Sequence, residues 1–198
     1  KLPADYVVEF TGLSKEELSS GSQTVLISLL SLVFVYFILA AQYESFLLPL
    51  AVIISLPLGV VGAFFGQRIA GLENNIYFQI ALIMLVGLLA KNAILIVEFA
   101  IQRRNHGETL AMSAINAAKA RLRPILMTSF AFIFGMLPLV FASGIGSVGN
   151  RSIGTGAAAG LLIGTFFGLV AIPVLYVIFQ WLQEKITPVK TKNINLAE

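Results

Sequence analysis

The chain has 198 residues, of which 58% are hydrophobic and only 12% charged, with a formal net charge of +3 and a mean hydropathy of +0.90. Soluble domains average about 45–50% apolar and about 25% charged residues, so this composition excludes an ordinary water-soluble domain and places the chain in the membrane class. With no cysteine and a single histidine, His106, a disulfide framework and a cysteine- or histidine-cluster metal site are excluded as well.

Residues 1–20 mix charge, Pro and Gly and lack the basic-then-apolar pattern of a signal peptide. They read as the tail of a preceding water-exposed domain. A membrane-spanning helix needs about 20 mostly apolar residues, and five stretches qualify: about 22–41, 46–67, 76–101, 124–143 and 153–182. The expected fold is therefore an all-α polytopic bundle of about five transmembrane helices over 21–183, followed by a tail at 184–198. A tight QYES turn joins the first two helices, and RIAGLENN, with Gly and two Asn as turn formers, joins the second and third. The longer basic link 102–123 contains good helix formers and Glu108 near its start, which predicts an amphipathic helix lying on the membrane surface. GIGSVGNRS predicts a flexible Gly-rich loop between the last two helices.

Basic residues set the orientation. Arg103, Arg104, Lys119, Arg121 and Arg123 in the link lie on one side together with Lys185, Lys190 and Lys192 of the tail, against Lys1, Lys15, Arg68 and Arg151 on the other. The link and C-terminus are expected in the cytoplasm and the N-terminal tail outside. Gly156, Gly160, Gly164 and Gly168 recur every four residues on the fifth helix, and Gly62 and Gly66 repeat the spacing on the second. In lipid, small residues at this spacing let helices approach closely, so these six are read as packing positions rather than a ligand site. Pro57, Pro138 and Pro173 interrupt apolar segments, and each removes one backbone donor and kinks its helix.

The third helix carries Lys91 and Asn92 with apolar residues on both sides. Lys91 is about 15 residues, or about 22 Å, from the outer end, and about 18 Å from Arg103, too deep to snorkel easily. A charge at that depth costs at least a few kcal/mol and marks a functional position by default, the alternative being a deprotonated or structurally paired lysine. Glu98, the one carboxylate in a spanning segment, is seven residues along, on the same face but about 10.5 Å away. No aspartate lies in any span, Asp5 being the only one in the chain. The counter-ion of Lys91 is thus expected outside this chain, on a missing helix. Thr128 and Ser129 sit early in the fourth helix, antiparallel to the third and within about two turns of Lys91 in depth. Thr128 either bonds a titrating group or closes on its own helix carbonyl, as such hydroxyls commonly do. Neither a nucleophile–base pair nor a phosphate loop is visible, so neither enzymatic activity nor a cofactor is expected.

GLLAKNAILIVEFA (87–100), RLRPILMTSFAFIFGMLPLV (121–140), GTGAAAG (154–160), LAAQYESFLLPL (39–50) and LPLG (56–59) occur in order over nearly the whole chain, apart from the last dozen residues. This combination closely resembles the resistance-nodulation-division efflux pumps, in their hydrophobe/amphiphile branch of Gram-negative bacteria. The resemblance implies the last five of twelve helices of a longer protomer, with residues 1–20 ending a periplasmic porter domain. It implies a homotrimer in the inner membrane, working with a periplasmic adaptor and an outer-membrane channel, in contact with membrane lipid and amphiphilic small molecules and not with nucleic acid. Transport would be driven by protons. Lys91 matches the relay lysine that pairs with two aspartates, Thr128 the relay threonine, Asn92 the asparagine beside the lysine, and Arg121 the arginine at the cytoplasmic side. The aspartate pair is absent from this chain. A proton-driven carrier of lipids or an export-assisting carrier of the same superfamily, and a non-transporting membrane scaffold, are the rival expectations.

Overall fold

The computed structural model describes residues 26, 29–30 and 32–186. The expected water-exposed tail at 1–20, much of the first expected span and nearly all of the C-terminal tail lie outside the described residues. The chain divides into two units, residues 1–35 and 36–198. Among the described residues there are helices and turns but no strand. The helices are α1 (Leu32–Tyr43), α2 (Leu48–Ile69), α3 (Ile76–Asn105), α4 (Leu110–Val140) and α5 (Ser147–Ile186). The last four are each long and apolar enough to cross a membrane, which makes this a multi-pass membrane protein.

Local chemistry sets the element ends. Ser45 closes the turn between α1 and α2: its backbone N–H donates to Ala40 O at 3.2 Å, and its hydroxyl oxygen accepts from the Leu47 N–H at 3.2 Å. Pro49 then occupies the first turn of α2, where the missing N–H costs nothing. Gly71 leaves α2 at φ +64°, and Asn75 caps α3, its side-chain oxygen accepting from the Phe78 N–H at 2.9 Å. The Asn75 amide also donates to Ser152 Oγ at 3.0 Å, tying the start of α3 to α5. Gly107, at φ +91°, turns the chain from α3 into α4.

Two expected boundaries differ. The link 102–123 is not a separate surface helix: α3 continues to Asn105, and one helix runs unbroken from Leu110 to Val140 with Pro124 inside it. A proline removes only one bond of the ladder, and a helix docked on neighbours absorbs that loss. Here Ser113, Ala114, Ala117 and Ile125 are buried on both sides of Pro124, and Ala114, Ala117 and Ile125 join one core cluster with Val97 and Ala100 of α3. Likewise, the Gly-rich stretch 144–152 is helical from Ser147 onward. Tertiary packing overrides its low helix propensity: a side chain at Gly154 would sit 2.8 Å from the backbone N of Val140, so α5 closes directly on the end of α4.

α5 is the spine of the bundle and packs on α2, α3 and α4. A Cβ on Gly62 would lie 2.6 Å from Ile163 Cβ, and one on Gly66 would overlap Ala159, so α2 and α5 touch almost backbone to backbone. Gly156 abuts the Phe78 ring, Gly160 abuts Leu85 and Ala63, and Gly164 abuts Leu89 and the Cα of Gly59. Gly168 is different: its nearest neighbour is Ile172 at 3.6 Å, an ordinary contact. Gly59 belongs to the seam instead, at the crossing of α2 with Gly160 and Gly164.

Candidate functional site: a lysine cleft between α3 and α4

The short connection at 106–109 makes α3 and α4 antiparallel neighbours. Counted from that connection, Lys91 is about 21 Å up α3 and Thr128 about 27 Å up α4, a difference of about one helical turn. The structure brings them together: Lys91, Asn92, Thr128 and Ser129 line one cleft, walled by Phe132 and Leu161. Asn92 is buried against the bundle. Lys91 is exposed, on a side of α3 that no described helix covers, and among the described residues it has neither a hydrogen-bond nor an ion-pair partner. Glu98 does not reach it and instead accepts a hydrogen bond from Gln102 Nε2 at 3.3 Å.

The Thr128 hydroxyl donates within its own helix, 3.1 Å from both Pro124 O and Ile125 O. This is the local closure expected of a lone hydroxyl in an apolar helix. Ser129 behaves differently. It is 4% exposed, and its Oγ lies 3.0 Å from Thr165 Oγ1 of α5, itself 7% exposed. Sequence reasoning noted Ser129 but missed this bond. The signal lay in a threonine of α5 one residue beyond Gly164.

Arg121 is not in the cleft. It lies two turns away on α4, with its guanidinium carbon 4.6 Å from the centre of the Phe99 ring, while Arg103 approaches the same ring at 5.1 Å. Arg103 also belongs to a polar cluster at the α3–α4 connection whose arginines, Arg103 and Arg104, the sequence reading treated only as orientation charges. Arg104 grips Glu184 of α5 with two bonds, Nε to Oε1 at 2.8 Å and a terminal nitrogen to Oε2 at 2.9 Å, and donates to Glu108 O at 2.8 Å. Arg103 pairs with Glu108 at 2.7 Å, and Asn116 donates to the other Glu108 oxygen at 3.1 Å. The Asn116 amide and the Arg103 guanidinium hold the Glu108 carboxyl below the usual carboxylate range. Ser45 joins the same end by donating to Gln183 Oε1 at 2.6 Å.

The family model described as "AcrB/AcrD/AcrF family" matches residues 1–180. The chain belongs to that family. The resistance-nodulation-division assignment drawn from the ordered motifs is thereby shown. Among AcrB/AcrD/AcrF relatives, multidrug resistance protein MdtF of Escherichia coli K12 is 46% identical over 183 residues, 92% of this chain and 18% of MdtF. The toluene efflux pump membrane transporter TtgB of Pseudomonas putida is 45% identical over 177 residues, 89% of this chain and 17% of TtgB. The solvent-resistant pump membrane transporter SrpB of Pseudomonas putida is 45% identical over 179 residues, 90% of this chain and 17% of SrpB. The chain thus spans less than a fifth of the length of these relatives.

Proposed function

We propose that this chain is the C-terminal membrane part of a proton-driven efflux transporter for hydrophobic and amphiphilic compounds, and that it carries half of the proton relay. The observation that carries the reading is Lys91: a lysine at mid-span, on an uncovered side of α3, sharing a cleft with Asn92 and Thr128 and with no counter-ion among the described residues. An ammonium at that depth cannot rest against lipid without a cost of several kcal/mol. Its partner is a carboxylate pair on a helix outside this chain. While the carboxylates are ionised, Lys91 pairs with them. Their protonation frees Lys91 to turn towards Asn92 and the hydroxyls of α4. Opposite charge lowers an acid's pKa and desolvation raises it, so such a site can load and unload protons. Arg121, two turns towards the α3–α4 connection, serves the relay at the cytoplasmic side rather than inside the cleft.

The names of MdtF, TtgB and SrpB, which speak of multidrug resistance, toluene and solvents, support the substrate class. The complete protein works as a homotrimer in the inner membrane of a Gram-negative bacterium, with a periplasmic adaptor and an outer-membrane channel. In the complete transporter, Lys91→Met or Lys91→Ala abolishes proton-coupled efflux while leaving the protein folded and in the membrane. Normal efflux by either variant at normal membrane levels would sink the relay.

A further inference from the structure

Serine and threonine hydroxyls in apolar helices close by default on a carbonyl three or four residues back. Ser55 does so with Val52 O at 2.6 Å, Ser113 with Leu110 O at 2.9 Å, and Thr128 with Pro124 O and Ile125 O. Ser129 departs from the rule and reaches across to Thr165 of α5. The pair also stands between two spaces. On one side Ser129 lines the lysine cleft. On the other, Ser129 and Thr165 together form the polar wall of an apolar cavity of about 250 Å³ bounded by Phe130, Ile133 and Phe166. Two hydroxyls carry two donors and four lone pairs. The bond between them uses one donor and one lone pair, which leaves Ser129 an acceptor site for the cleft.

We infer that Ser129 is a positioning residue of the proton relay: Thr165 holds the Ser129 oxygen towards the cleft, where it solvates the Lys91 ammonium and passes the state of Lys91 to α5. The inference rests on the relay reading of Lys91. It gives α5, the helix on which the bundle is built, a direct polar connection to the titrating site. Without Thr165, Ser129 closes on its own helix like its neighbours, and the cleft loses that acceptor. No other titratable group of the described helices lines the cleft. Glu98 on α3 and Arg121 and Arg123 on α4 lie towards the connection, α2 carries no charge before Arg68, and α5 carries none between Arg151 and Glu184.

The test uses the complete transporter in proteoliposomes with an imposed pH gradient, ethidium as the transported amphiphile and a pH-sensitive dye for proton flux. Ser129→Ala, Thr165→Val, the double variant, Thr165→Ser and Lys91→Met are compared with wild type at equal reconstituted amounts. Thr165→Val keeps the side-chain shape, and one interhelical hydrogen bond contributes little to membrane-protein stability, so the fold survives. Ser129→Ala and Thr165→Val should each lower turnover about threefold with KM for ethidium unchanged. The double variant should match the stronger single, and Thr165→Ser should match wild type. Wild-type turnover in either single variant, a raised KM for ethidium, additive losses in the double, or a Thr165→Ser variant no better than Thr165→Val overturns the inference. If Lys91→Met is inactive while the hydroxyl variants keep wild-type turnover, this inference alone falls. If Lys91→Met still couples transport to protons, the relay reading falls with it.

Discussion

Adding one methyl group at Gly160 tests the packing of α5 in isolation from its chemistry. The new Cβ would overlap Leu85 and lie 2.9 Å from Ala63 Cβ and 3.1 Å from Gly59 O. Leu85 and Ala63 are both fully buried, so Leu85 has no free space to swing into. The other two atoms move only if all of α2 moves. Gly160→Ala gains about 1 kcal/mol of helix propensity, and so does Gly168→Ala, whose methyl meets nothing nearer than Ile172 at 3.6 Å. The propensity gains cancel between the two variants, and the difference isolates overpacking, which costs about 1–3 kcal/mol for an extra methylene in a filled interior. Unfolding free energies measured by steric trapping in bicelles should therefore place Gly160→Ala about 1–3 kcal/mol below Gly168→Ala. Gly164→Ala should fall with Gly160→Ala, because its methyl would lie 2.9 Å from the Gly59 Cα. Equal stability of the Gly160 and Gly168 variants would refute the close crossing of α2 and α5.

The bidentate Arg104–Glu184 pair has both side chains about 20% exposed. Removing either partner should cost about 1–3 kcal/mol and the second removal little more, a coupling that a double-mutant cycle in the same unfolding assay reads directly. Glu108 has a folded-state pKa lowered by Asn116 and Arg103. Its contribution to stability is therefore present above the unfolded carboxylate value near about 4.3 and is lost as pH falls through the folded one. Thermal unfolding of Glu108→Gln in detergent should accordingly be less acid-sensitive than wild type over that range.

Apolar run length was enough to read the helices, because lipid requires each span to satisfy its own backbone and so to be long and continuous. The ends were harder. Pro124 and the glycines at 144–149 are breakers by local chemistry, yet both stretches are helical where neighbours hold them: Ala114 and Ala117 dock α4 on α3, and Gly154 fits against Val140. The solitude of Lys91 was legible, since it follows from the absence of any aspartate in the spans. The Ser129–Thr165 bond and the Arg104–Glu184 pair were not, because they join residues 36 and 80 positions apart, and no local pattern encodes which faces of α4 and α5, or of α3 and α5, meet. Gly168 shows the converse. A perfect four-residue spacing continues to a glycine whose added Cβ would meet only Ile172 of its own helix, so periodicity marks a face but not its length.

The unbroken α4 is also a lever. At about 1.5 Å per residue its 31 residues measure about 46 Å, and Asn116 and the Arg103–Glu108 pair moor one end. A continuous helix held at its foot and pushed in the middle moves most at its tip. A tilt of about 5° about the Glu108 mooring carries Thr128 about 2.4 Å but Val140 about 4 Å. Any displacement that Lys91 imposes on Thr128 thus arrives enlarged at the far rim of the membrane, where Val140 presses on Gly154.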